Sequence, residues 1–399
     1  MKILLSAYAC EPNKGSEPGV GWHWAHEIEK LGHQVCVLTR LNNKAAIENY
    51  YKYTPMPDGL RFIYYDIPKL LSWWKKGGRG VHLYYFLWQI GIFSTAKKLN
   101  RDESFDLVHH CTFVSVRQPS FLGKLGIPFV FGPVAGGECI PARLRKDLGI
   151  KTRFREALRD IVNKLVLYDP FMNFTLKTAS RIYVTSEETK ALLPNRYKKK
   201  AYIQLAIGND TELNSTSTIK VSAKKFLFVG NFLPLKGMRY GLQAFAQVAA
   251  KHNDISLTMV GRGSGKSALM CLAKELRIEN KLNWVDWVTQ DELKSIYKSH
   301  DALLFPSLRD SGGMVVLEAM SFGLPVVCVA LGGPGVIVNE SCGVAVNSLN
   351  IVDNLSNGIS TFIDQPFKFR ELSIGAISRS QNFTWEKTVG NVYGNSFNR

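Results

Sequence analysis

The sequence predicts an α/β protein with two doubly wound parallel sheets, and three observations lead to this fold class. The chain has 399 residues, whereas a single hydrophobic core stops growing at about 250–300 residues. Apolar runs of strand length alternate with segments of helical spacing along the whole chain, which is the pattern of βαβ units. A polar stretch without apolar periodicity, residues 208–220, separates two such series.

The apolar runs mark the strands, and the segments between them mark the helices. In the first series we predict strands at residues 3–7, 34–39, 106–109, 128–131 and 181–185, with a Pro- and Gly-rich loop at 11–19 and a helix at 22–31. In the second series we predict strands at 225–229, 256–260, 282–287, 302–305 and 325–329, and helices at 240–251, 267–276, 290–299 and 314–322. The expected domains are therefore residues 1–207 and 221–380, joined by a linker at 208–220. A final helix within 381–399 is expected to return to the first domain.

The composition is that of an ordinary globular protein. Apolar residues make up 46% and charged residues 21% of the chain, which excludes a disordered or fibrous protein. The seven cysteines are scattered, with no CxxC pair and no Cys/His cluster. This pattern argues against a metal site and a disulfide framework, and it predicts reduced thiols in the cytoplasm.

Positive charge is concentrated in the first half of the chain. Of the net charge of +17, residues 1–205 carry +14, with 31 Lys and Arg against 17 Asp and Glu. A basic domain indicates an anionic partner, either a phosphate-bearing molecule, an acidic membrane surface or a nucleic acid. A lysine-rich solvated surface is the alternative.

Two segments have the composition of a membrane-surface contact. Residues 69–98 mix Trp73, Trp74 and other aromatics with lysine and arginine, and residues 143–164 carry a second basic cluster with an apolar stripe. In both cases a core helix with a charged outer face is the alternative. The longest apolar stretch, residues 83–96, is shorter than the ~20 residues that span a bilayer.

The segment from Pro306 to Glu318 has the features of a ligand site. It follows a strand and opens a helix, and ligands bind at the carboxyl ends of strands in open α/β sheets. Gly312 and Gly313 let the backbone approach a ligand, and the N–H groups of the first helical turn are anion donors. Asp310 and Glu318 are about 12 Å apart along a helix, so they suit the two ends of one extended ligand. In the alternative interpretation, Asp310 caps the helix and Glu318 is a solvated helix residue.

This segment resembles the E-x7-E signature of the GT4 family of retaining glycosyltransferases, with Asp310 in place of the first glutamate. Residues 319–327 (AMSFGLPVV) resemble the run that follows in that family, and residues 228–237 (FVGNFLPLKG) resemble its VGRLxxxKG motif. The resemblance covers about 150 residues of the second half of the chain. It implies a GT-B fold, in which two Rossmann-like domains face a cleft.

The resemblance also implies roles for individual residues. Lys236 would bind the donor diphosphate and act in catalysis, and Glu318 would hold the ribose hydroxyls. Asp310 would face the transferred sugar, beside the N–H groups of Gly312 and Gly313. Asn231 stands where the family has arginine. The donor-binding set is completed by Gly230, Gly261 and Ser311.

In the first half of the chain the resemblance is looser. It implies that His109 contacts the donor sugar, while adjacent side chains of a strand point to opposite faces, so only one of His109 and His110 is expected to line the cleft. Gly19 and Gly21 would lie near the diphosphate and the acceptor, and Glu138 in a loop on the acceptor side. The alternatives are an ordinary strand-end histidine and a simple tight turn.

Three other functions fit less well. Residues 261–267 (GRGSGKS) have one residue too few between the glycines for a P-loop. The glycines at 15, 19 and 21 lack dinucleotide spacing, and Arg40 follows the second strand where such a site has an acid. A nucleic-acid-binding protein stays open as the alternative from another class, because +14 on one domain suits phosphates.

Taken together, the residues and the resemblance predict a retaining, metal-independent glycosyltransferase without a cofactor. Its donor would be a nucleoside-diphosphate sugar, and its acceptor a saccharide or a lipid-linked saccharide in cell-surface polysaccharide assembly. We expect it in the cytoplasm, with the anionic inner face of the plasma membrane as a further partner. An inactive homologue that only binds the sugar nucleotide is the second alternative.

Overall fold

A parallel sheet organises each half of the chain in the computed structural model, which describes residues 1–75, 77, 79–209 and 219–394. The strands of the first sheet are β1 (Lys2–Ser6), β2 (Gln34–Arg40), β3 (Leu60–Tyr65), β4 (Leu107–His110), β5 (Phe129–Val134), β6 (Arg181–Val184) and β7 (Ala201–Ile203). All neighbours are parallel, in the order β3-β2-β1-β4-β5-β6-β7. The order reverses between β1 and β4, and such switch points are where open α/β sheets bind ligands.

The helices of this part of the chain connect the parallel strands. They are α1 (Ser16–Lys30), α2 (Lys44–Tyr50), α3 (Lys69–Ser72), α4 (Val81–Glu103), α5 (Ile150–Leu165), α6 (Pro170–Thr178), α7 (Glu187–Leu192) and α8 (Asn195–Lys198). Tyr85 and Trp88 of α4 are fully buried and pack edge-on against Tyr8. One side of α4 in the predicted membrane stretch 69–98 is therefore core, whereas Leu70, Leu71 and Trp73 are exposed. Lys76, which belongs to that stretch, lies outside the described residues.

The second sheet has the same architecture. Its strands are β8 (Lys225–Val229), β9 (Ser256–Val260), β10 (Leu282–Val285), β11 (Ala302–Phe305), β12 (Val326–Val329) and β13 (Gly343–Val346), in the parallel order β10-β9-β8-β11-β12-β13. Its helices are α9 (Met238–Ala249), α10 (Lys266–Glu275), α11 (Gln290–Ser299), α12 (Met314–Ser321), α13 (Gly332–Ile337), α14 (Ile351–Asp364) and α15 (Pro366–Ser380). The switch point lies between β8 and β11, so their carboxyl ends are the expected ligand edge.

The chain divides into two compact units that are not continuous in sequence. Unit 1 contains residues 1–137 and 158–207 together with α16 (Trp385–Tyr393), and unit 2 contains residues 138–157 and 208–384. The passage at Ile207–Gly208 coincides with the end of the predicted first domain, but residues 138–157, predicted within that domain, belong to unit 2. For example, the Tyr240 hydroxyl donates to the Leu144 carbonyl (3.2 Å) and to Asp147 (2.9 Å).

The predicted fold class is confirmed, since both sheets are parallel and doubly wound. Strands β8, β9 and β11 and helix α11 begin and end where the sequence predicted. Strands β3, β7 and β13 were missed. Helix α1 starts at Ser16 instead of residue 22 and so includes two glycines. Most of the predicted linker, residues 210–218, lies outside the described residues.

None of the helices within the described residues combines the length and the apolar character that crossing a membrane requires.

Candidate functional site

Two loops of unit 2 meet at the carboxyl ends of β8 and β11. The Leu308 N–H donates to the Leu235 carbonyl (2.9 Å), so the loop after β11 is held against the loop after β8. At Gly237 the approach is so close that a Cβ atom would lie 2.0 Å from the Pro306 carbonyl oxygen, and Gly237 has a φ of +67°. Only glycine satisfies both conditions, which explains the KG pair of the sequence motif.

The closure of these loops brings Lys236 and Asp310 together. The Lys236 Nζ atom lies 2.5 Å from Oδ2 of Asp310, and both side chains keep about a sixth of their surface exposed. The other carboxylate oxygen of Asp310 accepts hydrogen bonds from the N–H groups of Gly312 (3.1 Å) and Gly313 (2.9 Å). Asp310 therefore binds the N–H groups of the two residues that precede α12 and pairs with Lys236 at the same time. The partly exposed Ser311 lies within this loop.

The glycine-rich first turn of α13, which follows β12, contacts Asp310. It was not among the site residues predicted from the sequence. After β12, the Gly333 N–H donates to the Asp310 carbonyl (2.8 Å), and a Cβ on Gly332 would lie 2.0 Å from the same oxygen. The side chain of Glu138, which is 4% exposed, passes within 3.4 Å of that Cβ position. The signal for this turn was a Gly-Gly-Pro-Gly run directly after a buried strand.

Glu318 lies on α12 and is hydrogen-bonded to a buried tyrosine. The Tyr297 hydroxyl donates to Oε2 of Glu318 (2.9 Å), and the Tyr297 ring stacks on Phe322 at 5.5 Å between centroids. Burial raises the pKa of Glu318 to about 7, and the hydrogen bond from Tyr297 opposes that shift. Glu318 is thus a carboxylate that exchanges its proton near neutral pH, and not the solvated helix residue of the alternative interpretation.

Gly230 and Gly261 occupy the carboxyl ends of the neighbouring strands β8 and β9. A Cβ on Gly261 would lie 2.0 Å from the Gly230 carbonyl oxygen, so the two strand ends touch through backbone atoms. Asn231, which follows Gly230, is exposed. These residues share the sheet edge of Lys236 and Asp310, and a ligand along that edge would meet them in turn.

An ion pair fixes the residue before Asp310. Arg309 Nη1 pairs with Oε1 of Glu156, which is 4% exposed, whereas the Oε2 atom has no hydrogen-bond partner. Glu156 lies on α5. Sequence patterns could not predict this pair, because its members are 153 positions apart.

His109 does not fit its predicted role at the donor sugar. Its side chain is completely buried in unit 1, with Nδ1 2.5 Å from the Tyr393 hydroxyl and Nε2 2.7 Å from the Gly132 carbonyl oxygen. Burial lowers the pKa of His109 to about 4. His110 is buried as well, so neither histidine is exposed at the strand end. Both ring nitrogens of His109 bind groups of the fold itself, which makes it a core histidine.

The remaining predicted residues of the first half lie in packed backbone. Gly19 and Gly21 belong to the first turns of α1, where Cβ atoms would lie 2.1 Å from the carbonyl oxygens of Lys14 and Ala9. They allow the loop after β1 to lie against the helix. Glu138, predicted on the acceptor side, belongs to unit 2.

A cavity of about 190 Å³ opens elsewhere in unit 2, among Phe232, Pro234, Met238, Tyr240 and Leu269. Its lining contains neither Lys236 nor Asp310 nor Glu318, so it is not the candidate site. Across the described part of the chain, no group of three or more His, Cys, Asp or Glu side chains is placed to hold a metal ion.

Comparison with known proteins gives the site a family context. Residues 209–377 match the family model "Glycosyl transferases group 1". This range contains Lys236, Asp310 and Glu318 but not Glu138. We refer to residues 209–377 as the group 1 domain, after the family model that they match. The match covers somewhat less than half of the chain.

Relatives of known name match part of this chain. An uncharacterized glycosyltransferase of Haemophilus influenzae is 28% identical over 214 residues, 53% of this chain and 60% of that protein. The D-inositol 3-phosphate glycosyltransferase of Rhodococcus jostii is 30% identical over 170 residues, 41% of this chain and 37% of that protein. The chain thus spans between about a third and three fifths of the length of these relatives.

Structural similarity extends beyond the group 1 domain. The Anabaena protein HepE, solved in complex with UDP and glucose, superposes with a TM-score of 0.60 at 16% identity, over 99% of this chain and 98% of that chain. Similarity over both units shows the GT-B fold that was predicted from the sequence.

Replacing Gly237 tests the loop closure. Gly237→Ala should destabilise unit 2 by about 2 kcal/mol or more, because the new Cβ collides with a backbone oxygen and the φ angle is unfavourable. The measurement is urea unfolding. Gly149→Ala is the matched control, since no atom lies within 4 Å of its Cβ position, and equal stability losses in both variants would contradict the close approach.

The raised pKa of Glu318 predicts how stability depends on pH. The folded chain holds the proton up to about pH 7 and the unfolded chain only to about pH 4.5, so this group lowers stability as pH rises through that window. Glu318→Gln should therefore be more stable than the parent at pH 8, by at most about 3 kcal/mol, and nearly equal to it at pH 4.5. A gain that is the same at both pH values would contradict the assignment.

Proposed function

We propose that this protein is a retaining glycosyltransferase that moves a sugar from a nucleoside-diphosphate sugar to a saccharide or lipid-linked acceptor. One observation carries the proposal. The Lys236 ammonium and the N–H groups of Gly312 and Gly313 converge on a single anionic group, the Asp310 carboxylate. Donors that converge on a carboxylate also suit a phosphate oxygen.

In this proposal the donor diphosphate takes over the contact with Lys236. A cation held in place beside the departing diphosphate stabilises the negative charge that develops as the bond to the anomeric carbon breaks. Lys236 and the amide groups supply this stabilisation from the protein, so the reaction needs no metal ion. The match to the group 1 family model and the UDP and glucose in the structurally similar HepE support a sugar nucleotide as donor.

The two carboxylates of the segment 310–318 would then act on different parts of the donor. Released from Lys236, Asp310 can accept hydrogen bonds from the hydroxyls of the transferred sugar. Glu318 would accept hydrogen bonds from the ribose hydroxyls, for which its ionised form is the better acceptor. Because its pKa is about 7, the strength of ribose binding would change across neutral pH.

The basic first half of the chain supports a phosphate-bearing acceptor. Residues 1–205 carry a net charge of +14, which attracts diphosphate-linked lipids or acidic saccharides more than neutral ones. We place the reaction in cell-surface polysaccharide assembly in the cytoplasm.

Removing Lys236 tests the leaving-group role. In a screen of UDP-, GDP- and ADP-sugars, Lys236→Ala should lower turnover with the donor that works by roughly 10²–10³-fold, the effect of losing one preorganised donor. Lys224→Ala is the matched control, because Lys224 forms a surface ion pair with Asp254 in the same unit.

Two results would contradict the mechanism. Strict dependence on a divalent ion after EDTA treatment would overturn the metal-independent role of Lys236. Tight binding of a sugar nucleotide without transfer to any acceptor would indicate an inactive homologue instead.

Removing Glu318 tests the ribose contact. Glu318→Ala should weaken binding of the nucleoside diphosphate by about 1.5–3 kcal/mol at pH 8, as expected for hydrogen bonds to a charged group. In the parent protein, calorimetry should show affinity that falls as pH drops below 7, and Glu318→Gln should remove that dependence. An affinity within twofold of the parent in a folded alanine variant would eliminate the ribose assignment.

A further inference from the structure

Helix α5 exposes its apolar side and buries two of its polar side chains, the opposite of what a helix on a protein core does. Its apolar side chains Ile150, Phe154, Leu158, Ile161 and Leu165 are all at least half exposed. Its polar side chains Glu156 and Asn163 are only 4% exposed. At 3.6 residues per turn, the five apolar residues fall within an arc of about 80°, on the side of the helix opposite to Glu156 and Asn163.

The buried polar side of α5 is held in place by specific contacts, so the helix is not free to rotate its apolar side inward. Glu156 pairs with Arg309. Oδ1 of Asn163 accepts from the Arg117 guanidinium, with Nε at 2.8 Å. Turning the helix would break both interactions and leave the buried Glu156 carboxylate without its partner, which is costly. The apolar stripe therefore stays on the surface.

Basic residues line both edges of this stripe. Lys151 lies along one edge, and Arg153 and Lys164 lie along the other; all three are exposed. The two acidic residues of the helix lie off the stripe, with Glu156 buried and Asp160 partly buried. An apolar stripe with cations on both sides is the arrangement of a helix that lies in the plane of a membrane surface.

We propose that α5 is the docking face of this protein for an anionic lipid bilayer, with its axis parallel to the membrane plane. The apolar stripe enters the boundary between headgroups and acyl chains, and the flanking cations contact anionic headgroups. Tyr168 and Phe171, which follow the helix and are at least half exposed, extend the apolar contact.

A bilayer fits this face better than a second copy of the chain does. In a symmetric dimer the same surface patch meets itself, so the basic edges of two copies would face each other on proteins that each carry +17. An anionic bilayer offers an apolar interior and the opposite charge. The proposal does not rest on glycosyl transfer, because the contact involves no sugar nucleotide.

Co-sedimentation with vesicles tests the proposal, without nucleotide or acceptor. The parent protein should bind vesicles of phosphatidylglycerol and phosphatidylcholine at low salt and largely detach at about 0.5 M salt, where the Debye length is roughly 4 Å. The triple variant Phe154→Ser, Leu158→Ser, Ile161→Ser should bind at least about tenfold more weakly. The variant Lys151→Gln, Arg153→Gln, Lys164→Gln should lose the preference for anionic over neutral vesicles.

Two further variants make the test specific to α5. Tyr53→Ser, Leu349→Ser, Phe367→Ser removes three exposed apolar side chains elsewhere and should bind like the parent. Leu70→Ser, Leu71→Ser, Trp73→Ser removes the exposed apolar residues around α3 and should retain most of the binding. Thermal unfolding of each variant confirms that it is folded.

The results that would overturn membrane docking say nothing about glycosyl transfer, because the vesicle assay contains no nucleotide or acceptor. If the α5 serine variant binds vesicles as the parent does, or if the α3 variant alone loses binding, α5 is not the contact. If the parent binds no vesicle at any salt while light scattering shows a dimer that the α5 serine variant lacks, a second copy covers this face.

Discussion

The candidate site depends on how closely the loops after β8 and β11 approach each other. At Gly237 the distance leaves no room for a Cβ atom, because the Pro306 carbonyl oxygen occupies that position. Because Lys236 directly precedes Gly237, this single contact holds the backbone of Lys236 close to the loop after β11. It also explains why the ammonium group reaches Asp310, which lies 74 positions further along the chain. Without the close approach, the cation and the amide groups would not share one anion.

Asp310 and Glu318 show that two carboxylates in one short segment can have opposite environments. Asp310 is surrounded by donors, one ammonium and two amide N–H groups. Glu318 has one hydrogen-bond donor and is otherwise desolvated, so burial dominates and its pKa is about 7. The segment therefore has an ion pair at one end and a carboxyl group of raised pKa at the other.

The sequence predicted the fold more completely than it predicted the site. Strands β8, β9 and β11 are near-continuous apolar runs between polar turns, the pattern of strands in a parallel sheet that is buried on both faces. Strand β7 has three residues, too few to show a pattern, and β13 begins with Gly343, a residue type that is depleted in strands. The missed parts of the site are partnerships across long separations, such as Tyr297 with Glu318 and Arg309 with Glu156. No local periodicity reports which distant side chain fills the space beside a given residue.

His109 and His110 also show that a sequence pattern does not reveal which distant element covers a residue. The spacing of a strand allowed one of His109 and His110 to be exposed, but it could not reveal that α16 covers the sheet near His109. Likewise, the spacing of the apolar residues predicted the stripe of α5 but not whether the stripe faces the core or the solvent. Whether such a stripe faces the core or the solvent is decided by what the opposite side of the helix contacts, here Arg309 and Arg117.

The division of the chain between its units has a consequence for biosynthesis. The chain passes from one unit to the other four times, and α16 returns to unit 1 after all of unit 2 has been made. The Tyr393 hydroxyl that binds His109 is 284 positions downstream. During vectorial synthesis, domains generally fold in order of their appearance. Nδ1 of His109 therefore lacks its Tyr393 partner until α16, which follows unit 2, has left the ribosome. Unit 1 therefore begins first but is completed last, after unit 2. A fragment that ends before α16 cannot contain a complete unit 1.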